Sequence, residues 1–437
     1  MTARGLIIGA PRSGSGKTSV TIGLLRALAR RGLKVRGAKS GPDYIDPGFH
    51  AAATGLPGTN LDSWAMPPAL LNALAANAAR DTDIVILESA MGLFDGIPAP
   101  QGRSGAAADL ARLYGLPVLL VLDVSGQSQT AAAVAKGFAT YDPAVRIAGV
   151  VLNRLGSERH RTLASDAIEA IGLPVVGGIL RDPTLSLPER HLGLVQAEEH
   201  GDLQAHLDRL ADMAEASLDI DAILALTMPL EPQAGQPAIA LPPPGQRIAL
   251  AQDAAFTFLY PHIRTQWHAA GAELVPFSPL ADEAPASNCD VCWLPGGYPE
   301  LHASRLAGNA RFLNGTRAFA ARKPVHGECG GFMVLGKSIE DAEGHTHAML
   351  GLLGHATSFA QRKMNLGYRQ ATLGADCAIG KAGETIRGHE FHYARVTAAG
   401  QDEPLGDIAD GQGKPLGTFG GRRGLVGGTF FHAIARA

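Results

Sequence analysis

Across residues 1–228, short apolar runs alternate with longer amphipathic stretches, and this alternation constrains the fold more than any other feature. The runs at 6–9, 84–87, 118–121, 147–152 and 175–179 are apolar throughout, whereas 17–31 and 105–114 carry helical spacing. A further strand is expected at 35–38. Wholly apolar strands separated by helices predict a parallel sheet covered on both faces. The alternation stops at 229–246, where Pro229, Pro232, Pro237 and Pro242-Pro243-Pro244 fall. That stretch reads as a stiff linker. A new strand opens at Arg247-Ile248-Ala249-Leu250-Ala251, and a second α/β domain is expected over 247–437. Two domains are the natural division of 437 residues.

Composition removes several classes. With 38 basic and 41 acidic residues the net charge is −3, which gives no footprint for nucleic acid or a membrane. Aromatics make up 5% of the chain, too few for a base-stacking surface. Four cysteines do not form a disulfide framework, so a reducing compartment fits. The apolar run near Met1 is too short for a signal peptide or a membrane span. The expected location is cytoplasmic.

Ala10-Pro11-Arg12-Ser13-Gly14-Ser15-Gly16-Lys17-Thr18 lies between a strand and a helix. Glycines let the backbone curl its N–H groups toward phosphate oxygens, and the helix N-terminus adds positive potential. Ser13, Gly14, Ser15, Gly16, Lys17 and Thr18 are therefore the expected ATP contacts, Lys17 on the outer phosphates and Thr18 on Mg²⁺. Pro11 stands where the Walker pattern has its first glycine, and the shifted form resembles the dethiobiotin-synthetase loop.

Lys39-Ser40-Gly41-Pro42-Asp43-Tyr44-Ile45-Asp46-Pro47 follows the second strand, and Glu88 follows the strand at 84–87. Residues at the carboxyl ends of parallel strands face the ligand crevice. Asp43, Asp46 and Glu88 are thus candidate Mg²⁺ ligands beside Thr18, since Mg²⁺ prefers oxygen donors. Lys39 and Tyr44 are candidates for substrate contact. The plainer reading, that Asp43 and Asp46 beside their prolines only shape a turn, stays open.

In the second half, Pro324-Val325-His326-Gly327-Glu328-Cys329-Gly330-Gly331-Phe332 reads as strand, small-residue elbow, then helix. That order places a thiol on a sharp turn, where a helix N-terminus favours the thiolate. Gly330 and Gly297, the latter from Pro295-Gly296-Gly297-Tyr298, are the expected oxyanion donors. His432 near the C-terminus supplies the base for Cys329. Against this stands the reading of Cys329 as a small core residue. Cys289 and Cys292 have metal-like spacing but no second pair, and His389-Glu390-Phe391-His392 misses zincin spacing by one position. His345 and His347 sit in a polar turn. No metal besides Mg²⁺ is expected.

Taken together, these motifs resemble the cobyrinic acid a,c-diamide synthase family, most closely its hydrogenobyrinic acid branch. Leu187-Pro188-Glu189-Arg190-His191-Leu192-Gly193-Leu194, Met364-Asn365-Leu366-Gly367-Tyr368 and Gly388 to Tyr393 add to the resemblance, which covers nearly the whole chain. It implies a dethiobiotin-synthetase-like ATP domain followed by a class I glutamine amidotransferase domain, with Cys329 and His432 as nucleophile and activating histidine. The implied partners are ATP, glutamine and a tetrapyrrole polycarboxylate, with a protected route for ammonia and a homodimer. Many glutaminases carry an acidic residue two positions after the histidine; Ile434 stands there, so the orienting group is left to Glu390 or a backbone carbonyl. The rival readings are the same reaction on cobyrinic acid or another tetrapyrrole, and a P-loop ATPase of the partition or metal-chaperone type.

Overall fold

A computed structural model describes residues 2–185, 189–190, 193–194, 201–233, 235 and 238–437. Part of the 187–194 motif and Pro237 lie outside the described residues. The chain divides into two compact units, Met1–Ala238 and Ile239–Ala437.

The first unit is built on strands β1 (Arg4–Gly9), β2 (Val35–Ser40), β3 (Thr59–Leu61), β4 (Ile84–Glu88), β5 (Val118–Asp123), β6 (Ile147–Leu155) and β7 (Val175–Leu180). They are parallel, in the order β3-β2-β4-β1-β5-β6-β7. Helices α1 (Lys17–Arg30) and α2 (Asp46–Thr54) follow β1 and β2. Leu6 and Ile8 on β1 pack with Ile22, Leu25 and Leu28 of α1 and with Leu207 and Leu210 of the helix Leu203–Ser217. Burying a Leu or Ile side chain contributes about 1.5–3 kcal/mol, so this layer orients α1 and the loop before it.

The proline-rich stretch is less uniform than its composition suggests. Met228–Pro229 forms an antiparallel strand on Arg4–Gly5, and Leu230 N–H bonds the Ala3 carbonyl. A proline is tolerated there because this strand lies at its pairing partner's end and has no second neighbour.

The second unit holds a six-stranded sheet ordered Glu273–Phe277, Arg247–Ala251, Val291–Leu294, Val325–Glu328, Val426–Thr429 and Gly421–Arg423. The first five are parallel and the last is antiparallel. A separate antiparallel sheet runs Pro415–Phe419, Gly406–Asp410, Asn365–Leu373, Thr385–His392 and His432–Arg436. Among the described residues no helix is long and apolar enough to cross a membrane.

Candidate functional site

Two constellations stand out, one in each unit. In the first, the loop between β1 and α1 is tied together by its own hydrogen bonds. Gly14 and Gly16 have φ of 75° and 86°, the left-handed region. Ser15 Oγ donates to the Arg12 carbonyl at 3.0 Å, and Lys17 Nζ donates to the same oxygen at 3.2 Å. Asn153, on β6, donates to the Ser15 carbonyl at 2.9 Å. A Cβ on Gly16 would lie 2.1 Å from Asn153 Nδ2. Ser13 is exposed at the turn. Burial, with Lys39 adding to it, brings the Lys17 ammonium down to about 8.

Beside the loop, Lys39 at the end of β2 pairs with Glu88 at the end of β4, its register partner. Lys39 Nζ is 3.0 Å from Glu88 Oε1 and bonds Asp46 as well. Thr18 Oγ1 donates to Glu88 Oε1 at 2.6 Å. All four side chains belong to elements whose ends meet at one edge of the sheet, where the sequence placed them. Burial would lower the Lys39 ammonium, but Asp46 and Glu88 outweigh it and raise it. Burial, with Asp43 adding to it, pushes Asp46 up to about 7. On Glu88 burial acts upward too, yet Lys39, His50 and Thr18 outweigh it and hold the carboxyl well below its usual range.

Asp43 does something different. Its Oδ1 accepts from the amides of Ile45 at 2.8 Å and Asp46 at 3.0 Å, so it shapes the entry to α2 and presents Asp46. Tyr44 is half-buried in the same turn. Sequence reasoning missed His50, whose Nε2 lies 2.9 Å from Glu88 Oε2 with both side chains fully buried. The signal was available: His50 stands four residues after Asp46 on α2, on the same face.

In the second unit, the strand Val325–Glu328 ends at Cys329, with φ 48° and ψ −104°, and the helix Gly330–Leu335 follows. Such a conformation in a residue with a side chain costs on the order of 1–3 kcal/mol and persists where the surroundings enforce it. Cys329 N–H bonds the Thr429 carbonyl at 2.7 Å, and Gly331 N–H bonds Pro295 at 3.0 Å. Gly296 lies between nucleophile and histidine: a Cβ there would meet His432 Cε1 at 2.5 Å and Cys329 Cβ at 3.2 Å. The Gly297 nitrogen would lie 3.1 Å from a Cβ on Gly330, so the two expected oxyanion donors are neighbours. His432 is buried and stacks on His389 at 5.1 Å, whose Nδ1 meets Tyr260 Oη at 3.0 Å.

The thiolate expected from the helix N-terminus is not favoured by its surroundings. Burial, with Glu300 adding to it, pushes the Cys329 thiol up, and the Gly330 N–H only partly opposes this. The helix has six residues, too short for a strong dipole. Burial, with His389 and His392, pushes His432 well below its usual value. Both shifts disfavour a thiolate–imidazolium pair. Glu390, the carboxylate considered for orienting His432, is engaged by Arg369 Nε at 2.7 Å.

Of the discounted residues, Cys292 lies on Val291–Leu294, and Cys289 precedes that strand rather than lying on it. His389 and His392 belong to the strand Thr385–His392. His345 is exposed, but His347 is mostly buried on Asp341 at 2.7 Å. Among the described residues no group of three His, Cys, Asp or Glu could hold a metal by itself.

The two units match two domain families. Residues 6–195 match the CobQ/CobB/MinD/ParA nucleotide binding domain, and 247–437 match the CobB/CobQ-like glutamine amidotransferase domain. The chain is 78% identical over 437 residues to a hydrogenobyrinate a,c-diamide synthase of Mesorhizobium japonicum, covering all of both chains. It is 69% identical over 436 residues to that of Agrobacterium fabrum, again covering all of both. With that of Rhodobacter capsulatus it shares 54% over 434 residues, 99% of each chain. Among solved structures, chloroplast FtsY of Physcomitrella patens matches 48% of this chain and 66% of its own at 19% identity and a TM-score of 0.33, too slight to argue from. Identity of this level along the full length, with motifs that had already pointed the same way, means that the chain belongs to the hydrogenobyrinate a,c-diamide synthase family.

Proposed function

We propose that the protein amidates the a and c acetate carboxylates of hydrogenobyrinic acid, using ATP and the ammonia of glutamine, as a step of cobalamin biosynthesis. The observation that carries this reading is one chain holding both a phosphate loop with a carboxylate–lysine cluster and a cysteine elbow with its histidine.

In the second unit the Cys329 thiol passes its proton to His432 as sulfur attacks the side-chain amide of glutamine. Gly297 and Gly330 N–H groups hold the oxyanion. Ammonia leaves, and water releases glutamate from the thioester. In the first unit an acetate oxygen attacks the γ-phosphorus of ATP and ADP departs, leaving an acyl phosphate. Ammonia then displaces inorganic phosphate to give the amide. Ser13, Gly14, Ser15 and Gly16 present backbone N–H groups to the phosphates, and Lys17 supplies a positive charge. Thr18, Asp46 and Glu88 are hard oxygen donors within one cluster and would hold Mg²⁺, with Asp43 fixing the turn that presents Asp46. Mg²⁺ supplies charge neutralisation at the phosphates. Lys39 and Tyr44 are the residues we assign to binding the acetate, Lys39 from its place between Asp46 and Glu88.

The test is product mass after incubation with ATP, Mg²⁺ and glutamine, with hydrogenobyrinic and cobyrinic acids offered in parallel. A two-amide product from the metal-free acid is expected. Product from cobyrinic acid alone would move the substrate to the cobalt-containing ring. ATP hydrolysis with no amide from either would bring forward the P-loop ATPase reading. Cys329→Ala should abolish glutamine use and spare ammonia use; loss of both would sink the two-site scheme.

A further inference from the structure

We infer that Glu328, the residue before the nucleophile, is the positioning carboxylate of the glutaminase pair. The inference rests on the reading of Cys329 and His432 as that pair. It fills the place left by Ile434, two positions after the histidine, which is a buried apolar side chain.

Topology brings Glu328 and His432 together. Val325–Glu328 and Val426–Thr429 pair in parallel, with Glu328 opposite Thr429. Beyond Thr429 the chain turns, Phe431 N–H bonding Thr429 Oγ1 at 3.0 Å, and starts the strand His432–Arg436. That turn sets His432 and Ala433 against the Glu328 carboxylate. Oε1 accepts from the Ala433 amide at 3.3 Å, and Oε2 lies 3.9 Å from His432 Nδ1. His326, two residues back on the same strand face, puts Nε2 3.7 Å from Oε1. The carboxylate therefore anchors the backbone beside the histidine and faces one nitrogen of its ring.

Other charged and titratable groups also act on this site. Glu390 is held by Arg369, while Glu300 and Glu390 act on the thiol, and His389 and His392 on His432. All three members are buried, at 1–2% exposure. A carboxyl in such a place is expensive to bury, and burial does raise it; an apolar residue would suit a purely structural position better. When His432 takes the proton from Cys329 Sγ it becomes an imidazolium, and a carboxylate at Nδ1 stabilises that charge without taking the proton itself. The 3.9 Å separation needs only a small closure when glutamine binds, and catalytic hydrogen bonds often tighten in the substrate complex.

The experiment compares Glu328→Gln and Glu328→Asp in the full chain. It reads glutaminase kcat and KM across pH, and ammonia-driven amidation as the control for folding and for the ligase. Glu328→Gln keeps shape and removes charge; it should lower glutaminase kcat by about 10²–10⁴-fold, with glutamine KM and ammonia-driven amidation near native. Glu328→Asp should lose about tenfold and shift the acid limb of the pH profile. Native glutaminase kcat and pH profile in Glu328→Gln would overturn the assignment. So would a loss matched by ammonia-driven amidation and left unmoved in Glu328→Asp. If the Gln variant does not fold, the Asp variant decides alone, and native kcat in it refutes the role. A glutaminase that survives Cys329→Ala would instead refute the underlying pair.

Discussion

At the scale of single residues, the cluster in the first unit depends on one ammonium serving two carboxylates. Lys39 contacts Asp46 and Glu88, and all three side chains are buried. Removing one member of such a set leaves uncompensated buried charge, at a cost of about 3–5 kcal/mol. Lys39→Met is therefore expected to lower the unfolding free energy of its unit by that amount in urea titrations, and to abolish amidation with either nitrogen source while glutaminase persists. The three residues were legible because β-strand ends in a parallel sheet face one crevice. His50 was not read, because a histidine among Phe49, Ala51 and Ala52 looks like helix filler until its spacing from Asp46 is counted. Glu328 was hidden differently: Ile434 occupies the usual acidic position, Glu390 was the carboxylate weighed, and a residue beside Cys329 comes near His432 only once the strands pair.

At the scale of elements, two tight turns set the chemistry. Gly16 combines a left-handed φ with the close approach of Asn153. Gly16→Ala should weaken ATP binding at least tenfold by calorimetry and leave glutaminase intact. In the second unit, Gly296→Ala would press a methyl into the His432 ring. It should cut glutaminase by about 10²-fold or more and leave ammonia-driven amidation native, since the contacts, with Phe258 Cβ at 3.2 Å besides the pair, all lie in the second unit. The strands and helices of the first unit follow closely from apolar runs and helical spacing. The antiparallel sheet over 365–436 was not read. Its strands alternate weakly and are rich in Gly, Arg and His, so period-2 patterning is faint.

At the scale of the whole molecule, the division falls between Ala238 and Ile239, inside the proline-rich stretch, after its first residues have joined the first unit's sheet. The two units also differ in their response to acid. His262, His355 and His392 are pushed down to about 4 by burial, and His389 to about 3, all in the second unit. Because their folded values lie below the ordinary 6.5, the unfolded chain binds more protons than the folded one between about 4 and 6.5. Stability is then present above 6.5 and is lost as pH falls, by as much as ~1.4 kcal/mol per pH unit for each histidine. Urea midpoints at pH 7, 6 and 5 should show the second unit failing first and steeply. A first unit that fails first would contradict this.

The burial of Cys329 has a chemical consequence beyond glutamine hydrolysis. Oxidants and alkylating agents react with thiolates they can reach. Cys329 is 1% exposed and burial pushes its thiol up, so it offers peroxide and simple electrophiles little thiolate within reach. Cys377, partly open to solvent, is the thiol they encounter first. If Cys329 is the nucleophile proposed above, a covalent inhibitor shaped like glutamine should label it faster than a small electrophile does; equal labelling by iodoacetamide in peptide mass spectra would contradict this.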